Sequence, residues 1–166
     1  MKYHIEKNTI QETLVIPLYA RALCTRRFPH LFSDPLSVEL LEQLDYDFSA
    51  LERTSGGLMQ TFGAMEAAMR QSDLAWEVRD YLADHPQAAV VNLGCGLDQT
   101  GRSCDNGQCR LYNIDLPDVM AVREALLPAG EREKNLTADL NDLSWFDAID
   151  TPLEDGAVFF AAGVFY

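Results

Sequence analysis

Val91-Asn92-Leu93-Gly94-Cys95-Gly96-Leu97-Asp98 is the stretch that decides the fold, because a short apolar run ends there at two closely spaced glycines. The run, Ala89–Leu93, is typical of a buried parallel strand. Glycine directly after a strand lets the backbone turn tightly and approach a ligand without a Cβ in the way. The stretch therefore predicts a strand that leads into a ligand-binding turn.

Three further segments of the second half of the chain are predicted strands. They are residues 110–114, the weaker residues 134–138, and Ala157–Ala161, which is apolar on both faces. Pro117 is placed to open a helix between the first two. Strands that alternate with helices predict an α/β fold with a parallel sheet.

The first half of the chain is predicted to be helical. Apolar residues at helical spacing and capping residues indicate helices over residues 17–27, from Asp34-Pro35, after the break at Gly56-Gly57, and from a cap at Ser72 or Asp73 up to Pro86. In the third of these, the spaced apolar residues are Leu58, Phe62, Met65 and Met69.

An acidic residue ends the second predicted strand. Asp115 follows Gly96 by 19 residues, and a carboxylate at that point can accept both hydroxyls of a ribose. The two features together predict a nucleoside pocket at the carboxyl ends of neighbouring strands. The alternative is that the glycines form only a turn and that Asp115 only caps the helix before Pro117.

The segment after the glycines differs from a dinucleotide-binding fingerprint. Gln99 stands where the third glycine of that fingerprint belongs, and Gly101 comes two residues late. Residues 100–107 are polar and show no amphipathic helix that could hold a pyrophosphate. The sequence therefore favours a nucleoside cofactor without a pyrophosphate over a nicotinamide dinucleotide.

Several stretches, taken together, resemble the leucine carboxyl methyltransferase family, which belongs to the class I S-adenosylmethionine-dependent methyltransferases. The closest resemblance is to the branch of tetracenomycin polyketide O-methyltransferases. Beside residues 91–98, the similar stretches are residues 12–22, 45–48, 112–117, 139–142 and 161–166. The resemblance implies a Rossmann-like sheet, with residues 1–86 as an N-terminal helical cap or lid and residues 87–166 as the first half of the S-adenosylmethionine-binding domain.

The resemblance also implies cofactor-binding roles. Gly94 and Gly96 would pass under the methionine part of S-adenosylmethionine, and Asp115 would bind its ribose hydroxyls. Asp139 and Leu140 would meet the adenine, through a side-chain acceptor and a backbone amide respectively.

Three residues of the helical half match family positions with weaker support. Arg70 falls where the family places an arginine for the cofactor's carboxylate, although a solvated helix arginine is the alternative. Tyr19 and Arg21 lie in the segment that helps cover the family's active site, although ordinary helix packing explains them equally well. Two positions depart from the pattern, since many class I enzymes carry an acidic residue at Asn92 and many relatives carry glutamate at Ala162.

The last predicted strand suggests that the chain is the N-terminal part of a longer domain. A strand that is apolar on both faces belongs inside a sheet, and in the family's strand order this strand is internal. We expect Ala157–Ala161 to lie beside Ala89–Leu93, the C-terminal strands to be missing, and the exposed edge of Ala157–Ala161 to allow a homodimer.

The composition excludes several partners. The chain has 166 residues and a formal net charge of −13, which argues against nucleic acid or an anionic membrane. No apolar run reaches the length of a membrane span and no signal peptide is visible, so we expect a cytoplasmic protein. Its four cysteines, Cys24, Cys95, Cys104 and Cys109, are expected to be free thiols rather than metal ligands.

These observations predict an O-methyltransferase that acts on a carboxylate or hydroxyl of a small molecule or peptide. A nicotinamide-dependent oxidoreductase and a non-catalytic S-adenosylmethionine-binding fragment are the alternatives. No catalytic residue is assigned, since none of His4, His30 and His85 stands out as a general base.

Overall fold

The computed structural model describes residues 2–54 and 56–164 of the chain. These residues fall into two units, Met1–Ser72 and Asp73–Tyr166. The boundary lies within a long helix that covers Leu58–Asp84. The predicted division at residue 86, and the cap or lid role of the first segment, stay predictions.

The first unit is mostly helical, as predicted. Its helices are α1 (Val15–Arg27), α2 (Pro35–Gln43), α3 (Ser49–Thr54) and the first part of α4 (Leu58–Asp84), and a short 3-10 helix covers Ile10–Leu14. Two short strands that the sequence did not indicate, β1 (Tyr3–His4) and β2 (Leu44–Asp45), pair in parallel.

Helix α2 begins where its sequence predicts. The Asp34 carboxylate accepts a hydrogen bond from the backbone N–H of Ser37 at 3.1 Å, and Pro35 occupies the first turn. An aspartate cap satisfies an amide that has no partner within the helix, and proline has no amide to leave unsatisfied there.

Helix α4 corrects the sequence-based interpretation, which divided it at Ser72 or Asp73. The Ser72 hydroxyl instead donates to the Ala68 carbonyl at 3.1 Å, so it bonds back into the preceding turn and starts no new helix. The apolar spacing located the helix but not its buried face. Leu58, Phe62 and Met69 are 85%, 65% and 61% exposed, whereas the small residues Ala64 and Ala68 are buried.

The second unit contains a four-stranded parallel sheet. Its strands are β3 (Ala89–Leu93), β4 (Arg110–Asp115), β5 (Glu133–Thr137) and β6 (Ala157–Ala161), in the order β5-β4-β3-β6. Helix α5 (Thr100–Ser103) follows β3, and α6 (Pro117–Leu126) follows β4. The predicted α/β fold with a parallel sheet is confirmed, and so is the predicted pairing of Ala157–Ala161 with Ala89–Leu93.

Apolar side chains cover both faces of this sheet. One face packs Val90, Leu111 and Phe160 together with α4, and the other packs Val91 and Tyr112 together with the segment after β5. Because successive strand residues point to opposite faces, a central parallel strand is largely apolar. This accounts for Ala89–Val91 and Leu93 of β3, whereas the buried Asn92 is hydrogen-bonded to Asp98.

The cysteines are buried and carry free thiols. The Cys104 thiol donates to the Ala75 carbonyl at 3.4 Å, and the Cys109 thiol lies 3.7 Å from the Asp105 carboxylate. Among residues 2–54 and 56–164, no group of three or more histidine, cysteine or acidic side chains could hold a metal ion. No helix in that same part of the chain is long and apolar enough to span a bilayer.

Candidate functional site

The loop after β3 needs glycine at two positions. Gly94 and Gly96 have φ angles of 62° and 47°, in the left-handed region that residues with a Cβ rarely adopt. A Cβ on Gly94 would also overlap the side chain of Val164, which follows β6. The backbone therefore turns sharply at Gly94, where no side chain could be accommodated.

Gly96 is hydrogen-bonded on both sides of its Cα. Its N–H donates to Asp115 Oδ2 at 2.8 Å, and its carbonyl accepts from Arg123 Nη1 at 2.9 Å. The neighbouring Cys95 N–H donates to the Ile114 carbonyl at 3.1 Å. The loop is thus attached to the end of β4 and to α6.

Cys95 lies between the two glycines, and its thiol is poorly reactive. Its side chain is buried, and burial is the main reason that the pKa of its thiol rises to about 12, with the nearby Asp115 and Asp98 raising it further and Arg123 lowering it. A thiol with that pKa stays protonated near neutral pH and is a poor nucleophile.

Asp115 presents a half-buried carboxylate at the carboxyl end of β4. Oδ2 accepts from the Gly96 N–H and Oδ1 from the Leu116 N–H, both at 2.8 Å. Burial raises the pKa of Asp115 above its ordinary value, while these two bonds and Arg123 act in the opposite direction. Each carboxylate oxygen can accept a further hydrogen bond, so two ligand hydroxyls could still be bound.

Asp115 does not cap the helix that follows it. The N-cap residue of α6 is Leu116, and within residues 2–54 and 56–164 no side-chain capping hydrogen bond is made at this N-cap. The alternative that Asp115 is only a helix cap therefore has no support in the geometry of α6.

A second aspartate, Asp98, holds the far end of the loop. Asp98 Oδ2 accepts from Asn92 Nδ2 at 2.9 Å and from the Thr100 N–H at 3.0 Å, and Oδ1 accepts from the Thr100 hydroxyl at 3.0 Å. These contacts explain the departure at Asn92, which is buried within β3. An acidic residue at this position would face the Asp98 carboxylate, whereas the asparagine amide donates to it.

A buried arginine that sequence reasoning missed lies against the loop. Arg123 on α6 is fully buried, and its Nη1 donates to the carbonyls of Gly96 and Asp98 at 2.9 and 2.8 Å. Its position could have been noticed from the sequence, because it lies one turn after the buried Val119 and next to the buried Val122. A cation on the inward face of a helix requires a partner.

Glu133, at the start of β5, is the acidic partner of two arginines. Oε1 lies 3.4 Å from Arg123 Nη2, and Oε2 accepts from Arg102 Nη2 at 2.5 Å. Asn113 Nδ2 and the Gly130 N–H also donate to this carboxylate, at 2.7 and 3.1 Å. Burial raises the pKa of Glu133, but the hydrogen bonds from Arg102, Gly130 and Asn113 outweigh burial and leave it below its ordinary value.

Asp139 and Leu140 follow β5, whose carboxyl end lies beside that of β4. The Ala138 N–H donates to the Asp115 carbonyl at 3.0 Å, which brings the two loops together. Asp139 is exposed, and its Oδ1 accepts from the backbone and side-chain amides of Asn141 at 2.9 and 2.8 Å, which lower its pKa. Five of the predicted cofactor-binding residues thus lie at or just after the carboxyl ends of the neighbouring strands β3, β4 and β5. They are Gly94, Gly96, Asp115, Asp139 and Leu140.

The three predicted residues of the helical half belong to the first unit. Arg70 lies on α4 with an exposed side chain. The buried Arg21 donates to Asp34 at 3.1 Å, and Tyr19 stacks on Phe48 with ring centroids 5.9 Å apart. These contacts agree with the packing role that was the alternative for Tyr19 and Arg21.

Comparison with known proteins identifies the family. The family model described as leucine carboxyl methyltransferase matches residues 15–165. The chain is also 33% identical, over 142 residues, to the tetracenomycin polyketide synthesis O-methyltransferase TcmP of Streptomyces glaucescens, a match that covers 84% of this chain and 50% of that protein. The chain spans about half the length of this curated relative. It belongs to the leucine carboxyl methyltransferase family.

Proposed function

We propose that this chain forms the cofactor-binding part of an S-adenosylmethionine-dependent O-methyltransferase. The observation that carries the proposal is the pairing of Gly96 with Asp115, which places an acceptor-only carboxylate beside a glycine loop at the ends of β3 and β4. Family membership supports methyl transfer as the reaction class, and the name of TcmP supports transfer to oxygen.

The residues of the second unit fit most of the cofactor. Gly94 and Gly96 carry no Cβ that would keep a ligand from the loop backbone, and Asp115 keeps acceptor capacity for two ribose hydroxyls. Asp139 and Leu140 are the proposed adenine contacts. When bound, S-adenosylmethionine supplies an electrophilic methyl group on a sulfonium. Arg70 is the proposed partner of the cofactor carboxylate.

The protein's contribution to such a reaction is alignment and the exclusion of water. Methyl transfer is an in-line displacement with a neutral thioether as leaving group, so orientation of the acceptor contributes most. A carboxylate acceptor needs no general base, whereas a hydroxyl acceptor needs one. We propose a carboxylate or hydroxyl of a small molecule or peptide as the acceptor.

The helix after the loop disfavours the nicotinamide-dependent oxidoreductase. Dinucleotide-binding folds place a pyrophosphate at the N-terminus of a helix that follows the glycine loop. Here α5 has 4 residues, and the buried Gln99 precedes it in place of the third glycine. The alternative of a non-catalytic cofactor-binding fragment is decided by assaying the full-length protein for methyl transfer.

Substitution of Asp115 tests the proposal. Charge-assisted hydrogen bonds contribute roughly 1.5–3 kcal/mol, so Asp115→Ala in the full-length protein should weaken S-adenosylhomocysteine binding at least about tenfold by the usual conversion. Glu124→Ala, which removes an exposed carboxylate from α6, is the matched control and should bind normally. Calorimetric titration measures both.

The pH dependence of binding gives a second readout of the same carboxylate. Only the ionised form of Asp115 accepts from both hydroxyls, and burial raises its pKa. Affinity should therefore fall as the pH drops, beginning at a higher pH than for an ordinary aspartate, and Asp115→Ala should lose this dependence. Equal affinities of the folded Asp115→Ala variant and the wild type would refute the role of Asp115.

A further inference from the structure

The two glycines of the loop after β3, Gly94 and Gly96, do not by themselves fix the backbone conformation of that loop. Glycine at positions 94 and 96 permits the turn, but a glycine has little intrinsic barrier to other backbone conformations. A loop that must present a fixed surface to a ligand therefore needs restraints from outside. Asp115 supplies one restraint on the N–H side of Gly96.

Arg123 supplies the restraint on the other side. Its Nη1 donates to the Gly96 carbonyl at 2.9 Å and to the Asp98 carbonyl at 2.8 Å, so a single nitrogen holds two carbonyls that turn inward. The side chain is fully buried, so its donors are directed into the protein and not to solvent. Without this donor, both carbonyls would lose their partner and the peptides beside them would turn to find another.

The charge of Arg123 is balanced by an acid that also holds the next part of the chain. Glu133 lies 3.4 Å from Arg123 Nη2 and accepts from Arg102 Nη2 at 2.5 Å. Arg102 is on α5, directly after the loop. Glu133 on β5 thus anchors the loop at Gly96 and Asp98 through Arg123, and at its far end through Arg102.

A buried ion pair of this kind is a poor explanation of stability alone. The cost of removing two charges from water often exceeds their attraction, and apolar replacements are frequently neutral or stabilising. An apolar side chain could not reproduce the two hydrogen bonds to the loop carbonyls, nor the bond from Arg123 Nε to Asn135 Oδ1 at 3.3 Å, which points away from the loop.

We propose that Arg123 is a positioning residue for the cofactor site, which fixes the Gly96–Asp98 backbone in the conformation that binds S-adenosylmethionine. This inference rests on the proposed function. It adds to that function a residue that does not touch the cofactor and acts through the loop.

Three variants of the full-length protein separate positioning from stability. Arg123→Met keeps roughly the length of the side chain and removes the two hydrogen bonds to the loop carbonyls, together with the contacts of Arg123 with Asn135 and Glu133. Arg123→Lys keeps the charge opposite Glu133 but places all donors on one nitrogen without the planar guanidinium. Val122→Ala truncates a fully buried neighbour on α6 whose side chain cannot donate a hydrogen bond to the loop carbonyls, and it is the control for lost stability.

The first readout is the affinity for S-adenosylhomocysteine at a temperature where each variant is folded. We expect Arg123→Met to bind at least about tenfold more weakly, which corresponds to roughly 1.4 kcal/mol. Arg123→Lys should lie between it and the wild type, and Val122→Ala should bind as the wild type does. If Arg123→Met does not fold, the comparison of Arg123→Lys with Val122→Ala decides, and unchanged binding by Arg123→Lys would overturn the proposal.

The second readout needs no ligand and separates the two proposals. Amide hydrogen exchange of Gly96 and Asp98 should be faster in the unliganded Arg123 variants than in Val122→Ala, because local opening of the loop exposes these amides. If the wild type does not bind S-adenosylhomocysteine while exchange rises, the proposed function fails and the restraint stands. Unchanged exchange in a folded Arg123→Met variant would overturn the restraint itself.

Discussion

Gly94 allows the site to be tested through a single added methyl group. Gly94→Ala places a Cβ on a residue with φ 62°, and a left-handed conformation costs a residue with a side chain roughly 1–2 kcal/mol. The same Cβ would overlap a methyl group of Val164, and overpacking of this kind typically costs about 1–3 kcal/mol. The free energy of unfolding should therefore fall by roughly 2–5 kcal/mol, the sum of the two costs.

Other glycines of the same unit separate the two costs. Gly107 has φ 83°, and no atom of the described part of the chain lies within 4 Å of an added Cβ, so Gly107→Ala reports the backbone cost alone. At Gly101, an added Cβ would lie 3.8 Å from Val90, an ordinary contact, and Gly101→Ala should cost little. The double variant Gly94→Ala/Val164→Ala removes the overlap and should lose only about the backbone cost relative to Val164→Ala.

Urea denaturation of the full-length protein, followed by circular dichroism, measures these differences. The expected order of destabilisation is Gly94→Ala, then Gly107→Ala, then Gly101→Ala. The reasoning is refuted if Gly94→Ala costs no more than Gly107→Ala, or if Val164→Ala does not reduce the cost of Gly94→Ala.

Two further predictions concern Asn92 and the edge of the sheet. Asn92→Asp would place a carboxylate against Asp98 Oδ2, which now accepts from Asn92 Nδ2 at 2.9 Å, so it should destabilise the protein at neutral pH by roughly 1–3 kcal/mol. The new carboxyl group should have a raised pKa in the folded state, so this loss of stability should shrink as the pH falls. Asn92→Ala is the control, because its loss of stability in urea denaturation should not depend on pH. A pH-independent loss for Asn92→Asp would contradict the prediction. Among the described strands, β6 pairs with β3 alone, and Phe159 beside that edge is 43% exposed. The chain should therefore self-associate through this edge. Phe159→Lys should reduce the association in light scattering, and a monodisperse wild-type monomer would oppose this prediction.

The sequence was most informative where one physical requirement dominates. Short apolar runs are typical of the strands of a buried parallel sheet, so β3 and β6 were predicted with their observed bounds. The pairing of β6 with β3 followed from the same requirement and from the family resemblance. The positions of Gly94 and Gly96 after β3 followed because a turn of this kind needs glycine. Asp115 was predicted from its place at the end of the second predicted strand.

The remaining features depend on contacts between residues distant in the chain. Ser72 is a plausible cap by sequence, and only its bond to the Ala68 carbonyl shows that α4 continues through it. Arg123 and Glu133 are residue types that usually lie on a solvated surface. Both are buried here, where each is the other's charged partner. The buried face of the first part of α4 is formed by alanines, which carry little signal in a pattern dominated by Leu58, Phe62 and Met69.

Calorimetric titration of the full-length protein with S-adenosylhomocysteine and, separately, with NAD tests the central claim most directly. The account predicts saturable binding of S-adenosylhomocysteine, weakened at least about tenfold by Asp115→Ala, and no binding of NAD. Binding of NAD without binding of S-adenosylhomocysteine would contradict the account and assign the loop between β3 and α5 to a dinucleotide.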